Sequence, residues 1–340
     1  MATELLVLSD SDVHAALSYA DCADAMRGAL LALATGRAQQ PLRTVARPDG
    51  AAGMVALMPA YLSGGPGGAA SASYGLKAIC ITPSNPAAGL DTHQGVVLLS
   101  NGQTGEPVAL LNASAVTEIR TAAVSVVATD LVASADADEL AVIGTGVQAR
   151  SHILALDGTR SLAAIRVAGR DQGRTAQFAA GLAGRTRAPV RACATVQEAL
   201  QGAQIIVTAT SSAEPVLERQ WIEPGAHINA VGACLPHMRE LDTATVAASV
   251  LFADRRDSLL AESGDYLLAA ADGAVGPDQV RAELGELLAG TAGGRSSADE
   301  ITIFESLGLA IEDLAAAARA HATALKTRGT AGQIGSWLAF

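Results

Sequence analysis

The stretch Leu140-Ala-Val-Ile143-Gly144-Thr145-Gly146-Val147-Gln148-Ala149 constrains the fold more than any other part of the chain. Leu140 to Ile143 are four consecutive apolar residues, two of them β-branched, as a parallel strand buried on both faces requires. Gly-x-Gly-x-x-Ala follows at once, an accepted form of the dinucleotide fingerprint. Gly144 makes the tight turn out of the strand, Gly146 leaves its backbone open to a pyrophosphate, and Ala149 lets the next helix pack close. The free N–H groups and the dipole at that helix's start favour an anionic diphosphate. Thr145, Val147 and Gln148 complete the expected cofactor-binding turn. In a chain with 34 glycines such a match also arises by chance, so its context matters. Apolar runs continue at the right intervals: residues 163–168, 190–192, 204–210, 226–231 and 250–253 read as the following strands. That count predicts an α/β protein with an open, doubly wound Rossmann sheet.

The 340 residues suffice for a second domain. Residues 1–122 with 307–340 are expected to form an α+β substrate-binding and dimerisation domain, and 123–306 the dinucleotide domain. In the first, Asp10 or Ser11 is expected to cap a helix reaching Tyr19, and Asp21 one reaching Thr35. Strands are expected over 53–61, 74–82, 95–100 and 107–111, then a helix capped by Ser114 over 115–131. Ser63–Gly68 reads as a loop. The last helix is expected over 307–325.

The formal charge of −11 argues against nucleic acid and anionic membranes as partners. No apolar run reaches membrane-spanning length. Cys22, Cys80, Cys193 and Cys234 show no pairing or metal-binding pattern, and the N-terminus shows no signal-peptide pattern, so a reducing, cytoplasmic location is expected. No metal is expected. In so acidic a chain, isolated cations are informative. Lys77 sits on an otherwise apolar strand and Arg120 in an apolar helix, where each needs an anionic partner or else snorkels to solvent. His93 reads as a hydrogen-bonding loop residue and His227 as structural.

Several stretches carry a resemblance to the ornithine cyclodeaminase/μ-crystallin family: Gln40-Pro-Leu-Arg43-Thr, Leu57-Met-Pro-Ala-Tyr61, Tyr74-Gly-Leu-Lys77, Arg120-Thr-Ala-Ala-Val-Ser125, Pro224-Gly-Ala-His-Ile-Asn-Ala-Val-Gly232, Arg239-Glu-Leu-Asp242 and Ser306-Leu-Gly-Leu-Ala310. Within the family the chain is most similar to the ketimine reductases and the bacterial Δ1-pyrroline-2-carboxylate reductases. The resemblance implies a homodimer built by the first domain. It implies that Arg43, Lys77 and Arg120 hold the substrate carboxylate, with Lys77 also catalytic, and that His93 contacts substrate. It further implies that Thr121 and Thr210 meet the cofactor and that the last-helix signature Phe304-Glu-Ser-Leu-Gly308 approaches the nicotinamide; by its residues alone that stretch reads as a helix start with Phe304 in the core.

NADP(H) is the preferred cofactor on this reading, with NAD(H) also usable. The second strand ends at Ala168, and Gly169-Arg170 stands where NAD enzymes place an acid for the ribose. Arg170 and Arg174 suit a 2′-phosphate, although Asp171 would repel one if it turned inward. The expected reaction is reduction of a cyclic ketimine carboxylate. The alternatives are an ornithine or lysine cyclodeaminase, an open-chain amino-acid dehydrogenase, and a ligand-binding protein without turnover. The family's cyclodeaminases carry an acid where this chain has Cys234 and another where it has Ala56, which disfavours a diamine substrate.

Overall fold

The computed structural model describes residues 4–64 and 72–339, so most of the expected Ser63–Gly68 loop lies outside the described residues. The chain divides into two compact units, one comprising residues up to Arg120 together with Leu309 onward, the other Thr121–Gly308.

The first unit contains β1 (Glu4–Leu8), α1 (Asp10–Ala16), α2 (Tyr19–Ala34), β2 (Ala38–Gln39), β3 (Thr44–Ala46), β4 (Met54–Leu62), β5 (Ser73–Ile81), β6 (His93–Asn101) and β7 (Pro107–Asn112). The chain's last helix (Ala310–Thr327) and last strand (Ser336–Ala339) return to it. Its sheet runs last strand, β1, β7, β6, β5, β4, β2, with β3 also paired to β4, and is antiparallel except for β1 beside β7. Ser9 caps α1, accepting the Asp12 N–H at 3.3 Å, and Ser18 caps α2 through the Asp21 N–H at 3.1 Å. The expected caps, Asp10 and Asp21, lie inside the first turns instead, where their charge meets the helix dipole. Alternation splits the central strands cleanly. Met54, Ala56, Met58 and Ala60 of β4, Lys77 and Ile79 of β5, and Val97 and Leu99 of β6 are buried. The last helix packs on this face, and its alanines allow a close approach. At Gly75 the approach is tightest: a Cβ there would lie 2.7 Å from Leu314 Cδ1.

α3 (Ala113–Val132) leads out of the first unit. Asn112, not Ser114, caps it by accepting the Ala115 N–H at 2.9 Å, while the Ser114 hydroxyl donates to the His93 carbonyl. The second unit carries β8 (Glu139–Ile143), α4 (Val147–Thr159), β9 (Ala164–Ala168), α5 (Gln172–Ala180), β10 (Val190–Ala192), β11 (Ile205–Thr208), β12 (His227–Ala230), β13 (Val250–Ala253), β14 (Val280–Glu283) and β15 (Thr302–Glu305). All eight strands are parallel, in the order β10-β9-β8-β11-β12-β15-β13-β14. This is the Rossmann-type sheet the sequence predicts, with two strands it does not reveal.

One of those two is a correction. Phe304-Glu-Ser-Leu-Gly308 does not open the last helix: Thr302–Glu305 is a strand inserted between β12 and β13, and Phe304 is fully buried. The chain then turns at Gly308 (φ +77°), Asp254 Oδ2 accepts the Leu307 and Gly308 N–H groups at 2.9 and 2.7 Å, and the helix begins at Ala310. Among the described residues no helix is long and apolar enough to cross a membrane, and all four cysteines are free.

Candidate functional site

Three segments of the first unit converge on one buried charge cluster. Lys77 comes from β5, Arg120 from α3, and Glu312 and Asp313 from the first turn of the last helix. Asp313 Oδ1 accepts from Lys77 Nζ and from Arg120 Nε, each at 3.1 Å. Arg120 Nη1 donates to Glu312 Oε2 at 3.0 Å, and the same oxygen accepts the Leu309 N–H at 3.2 Å. Lys77 is 4% and Arg120 6% exposed, so neither snorkels to solvent. Their surroundings are apolar, and an unpaired cation there would be prohibitive.

Gln40 anchors the Gln40–Arg43 connection between β2 and β3 to the same helix: its Oε1 accepts the Ile311 N–H at 2.8 Å. Arg43 is half-buried, and its charge acts on Lys77. Burial pulls the Lys77 pKa down to about 8; Asp313 opposes that shift, while Arg120 and Arg43 add to it. His93 opens β6 and is not in a loop. Crowding by the fold is the first cause lowering its pKa to about 4, although the residue as a whole is exposed; Lys77 and Arg120 repel its proton as well. It is therefore neutral near pH 7. Four of the expected substrate residues thus act on one another electrostatically.

The dinucleotide turn has the geometry its sequence demands. Gly144 adopts φ +131°, and a Cβ there would lie 2.4 Å from the Ala209 carbonyl oxygen, so only glycine fits. Gly146 is exposed with nothing within 4 Å of a Cβ position, and it caps α4 without a side-chain hydrogen bond. A backbone N-terminus left open in this way suits a diphosphate. Thr145 and Gln148 are half-buried beside it, and Val147 is an exposed apolar residue at the helix start. Thr121 is buried in α3. Thr210 follows β11; its N–H donates to Glu240 Oε1 at 2.6 Å and its hydroxyl accepts the Ser212 N–H at 3.2 Å. Arg170 and Arg174 are exposed after β9, and Asp171 is committed to capping α5 through the Arg174 N–H at 2.8 Å. His227 is fully buried, its Nδ1 within 3.0 Å of Thr302 Oγ1, which accords with a structural role.

Two groups of residues escape sequence reasoning. Asp313 and Glu312 read as dipole-favoured acids at a helix start, and nothing in their neighbourhood points to partners in β5 and α3. Glu240 is the other: fully buried, it accepts the Thr210 and Gly232 N–H groups at 2.6 Å each and so joins the ends of β11 and β12. Asp265 Oδ1 in turn accepts the Glu240 and Leu241 N–H groups at 2.8 and 2.9 Å, and burial with the nearby Glu240 charge raises its pKa to about 7. The Arg239-Glu-Leu-Asp242 stretch is the only sequence signal for this staple.

A Rossmann-type unit paired with a unit that buries Lys77 and Arg120 against two carboxylates defines a dinucleotide-dependent class of protein. The sequence profile of the ornithine cyclodeaminase/mu-crystallin family matches residues 3–328, and the chain belongs to that family. It is 38% identical over 282 residues to the ketimine reductase mu-crystallin of Mus musculus, covering 83% of this chain and 84% of that protein. It is 37% identical over 243 residues to the Delta(1)-pyrroline-2-carboxylate reductase of Bacillus cereus (strain ZK / E33L), covering 71% and 74%. The structure of Thermococcus litoralis Delta(1)-pyrroline-2-carboxylate reductase in complex with NADH and L-proline superposes with a TM-score of 0.89 at 33% identity, covering 97% of this chain and 99% of that one.

The ion-pair network sets the expected behaviour of one variant. Arg120→Ala removes the guanidinium that pairs with both Asp313 and Glu312, two buried carboxylates. The folded state should lose about 3–5 kcal/mol, the range for breaking a buried pair from one side. Urea unfolding followed by circular dichroism measures this; an unchanged midpoint would show that the network is not closed as described.

Proposed function

We propose that this protein reduces the C=N bond of a cyclic ketimine carboxylate, Δ1-pyrroline-2-carboxylate or Δ1-piperideine-2-carboxylate, to L-proline or L-pipecolate. The observation that carries the reading is the buried Lys77–Arg120 pair with Arg43 acting on it. Lys77 and Arg120 are ion-paired to Asp313 and Glu312, and the Arg43 charge also acts on Lys77, so positive charge is concentrated where a substrate carboxylate would dock. Charge-assisted hydrogen bonds from a guanidinium and an ammonium orient such a group strongly. The names of the similar proteins point to the same substrate class.

A bound nicotinamide dinucleotide, in reduced form, would supply the hydride; the Gly144–Gln148 turn would hold its diphosphate. Lys77 is the proposed catalytic residue. With a pKa near 8 it is mostly an ammonium at neutral pH, able to hold the carboxylate and so to orient the imine carbon for hydride transfer. His93, neutral, offers a hydrogen bond at the same cluster. The first unit is thus the substrate domain and the second the cofactor domain. The free cysteines accord with a reducing, cytoplasmic setting.

The cyclodeaminase alternative meets two obstacles. Ala56 is buried on the Lys77 face of the sheet, two residue pairs along from the Met58–Lys77 pair, and offers no carboxylate for a distal ammonium. Cys234, half-buried after β12, offers none either. With a reduced nicotinamide cofactor and Δ1-piperideine-2-carboxylate, the protein should oxidise cofactor and form pipecolate one for one. With ornithine or lysine and catalytic NAD it should release no ammonia. Ammonia and proline accumulating from ornithine would overturn the assignment.

NADP(H) is proposed as the preferred cofactor. Arg170 and Arg174 are exposed, and among the described residues neither side chain has a hydrogen-bond or ion-pair partner. The Asp171 carboxylate, which could have repelled a 2′-phosphate, is turned to its helix N-terminus. Arg170→Ala should weaken NADPH by about tenfold or more, one charge-assisted contact, and leave NADH nearly unchanged. Equal effects on the two cofactors in steady-state kinetics would defeat the assignment.

A homodimer is proposed through the outer face of the first unit's sheet. Leu57, Ala78 and Val96 form one cross-strand row there, Pro59, Leu76 and Leu98 the next, and Tyr61 and Tyr74 a third with ring centroids 5.0 Å apart. Leu57, Tyr74 and Val96 are exposed, and a contiguous apolar face of this kind is characteristic of an interface. Sedimentation equilibrium should give twice the chain mass of 34.2 kDa, and Leu57→Asp should shift it towards one chain. A monomeric wild type at micromolar concentration would contradict the proposal.

A further inference from the structure

Two carboxylate oxygens of the cluster, Glu312 Oε1 and Asp313 Oδ2, are buried without a hydrogen-bond partner, and the second belongs to the side chain that both cations share. Asp313 is 1% exposed, and its Oδ1 holds both Lys77 and Arg120. Its Oδ2 is buried and has no hydrogen-bond partner. An ionised carboxylate oxygen without a donor is unfavourable in such surroundings, and native structures leave few of them. A donor that arrives with a ligand would satisfy it.

We infer that Asp313 is a substrate-binding residue whose Oδ2 accepts the N–H of the cyclic iminium and, after reduction, of the secondary amine. This rests on the reductase reading above. In both substrate and product the nitrogen is bonded to the carbon that bears the carboxylate. A ligand whose carboxylate docks on Lys77 and Arg120 therefore brings its nitrogen close to the side chain those two cations share. The match is also one of donor and acceptor: an iminium N–H only donates, and a carboxylate oxygen only accepts. A neutral imine has no N–H to offer, so Asp313 selects the protonated form, which is the form that accepts hydride readily.

The reaction balances without a dedicated acid. Hydride adds to the imine carbon, the C=N π pair becomes the nitrogen lone pair, and the nitrogen keeps the proton it brought. A proton from water then converts the amine to the ammonium product. Asp313 takes no proton and forms no bond; it stabilises positive charge on nitrogen in the bound iminium and ammonium forms. It also discriminates against 2-oxo acids, which present a carbonyl oxygen, an acceptor, to the same carboxylate.

The test is equilibrium binding by calorimetry to the full-length protein saturated with oxidised dinucleotide. The two ligands are L-pipecolate and its oxygen isostere, tetrahydropyran-2-carboxylate, which keeps the carboxylate and lacks the N–H. The wild type should bind L-pipecolate at least about tenfold more tightly, as one charge-assisted hydrogen bond warrants. In Asp313→Asn the preference should fall to within about threefold. The ratio between the two ligands cancels any effect of the substitution on the Lys77 and Arg120 clamp. Both affinities falling together with the ratio kept would mean that Asp313 only positions the cations, and would overturn the inference. A wild-type ratio near one would overturn it without any variant, so the result does not depend on Asp313→Asn folding. Binding of neither ligand to the wild type would overturn the substrate-site reading along with it.

Discussion

One carboxylate oxygen, Asp313 Oδ1, holds the first unit's chemistry together. It bridges an ammonium from the middle of a strand and a guanidinium from the middle of a helix, both inside an apolar layer. Taken separately, each of the three charges would be too costly to bury, and the geometry is stable only as a set. The set also dictates the surrounding composition. The last helix must lie close enough to the sheet for a short aspartate side chain to reach Lys77. That is why the sheet offers Gly75 under Leu314 and why the helix is rich in alanine. Residues 236 and 193 positions apart are thereby fastened, and the C-terminal segment becomes part of a unit begun at the N-terminus.

The second unit follows a different logic, in which backbone groups, more than charges, shape the site. Gly144 lets the chain turn beneath the Ala209 carbonyl, and Gly146 leaves α4 with an open N-terminus. Glu240 takes the N–H groups that end β11 and β12, which fixes the carboxyl edge of the sheet. Its pKa, raised by burial, is opposed by those same hydrogen bonds. Buried Glu305, raised well above the usual carboxylate range by burial and by Asp265, adds to an acidic floor under this edge. The open helix N-terminus after β8 lies at the strand next to β11, whose end Glu240 joins to that of β12.

Much of this was legible before the structure. The β8–Gly144–α4 unit follows from apolar run and glycine spacing, because both respond to local backbone demands. Lys77 and Arg120 stand out because a cation in an apolar period needs a reason. Their partners do not stand out, since Glu312 and Asp313 occupy helix positions where acids are common for the dipole alone. Helix caps at Ser9 and Ser18 were displaced from the expected Asp10 and Asp21, since a serine one to three residues earlier competes for the same N–H groups. β14 and β15 are hidden for another reason: four residues with polar ends carry almost no periodic signal, and β15 is inserted between β12 and β13, out of sequence order. Only tertiary pairing defines them.

The central claim is that the Arg43–Lys77–Arg120 cluster receives a carboxylate. It is tested most directly by comparing L-pipecolate with L-pipecolamide as ligands of the protein saturated with oxidised dinucleotide, by calorimetry at pH 7. The two differ only in the charge of the group that meets the cluster. The account expects the acid to bind and the amide to be weaker by at least about a hundredfold, since contacts to two cations are lost together. Comparable affinities would contradict it, and the buried cations would then serve the fold alone.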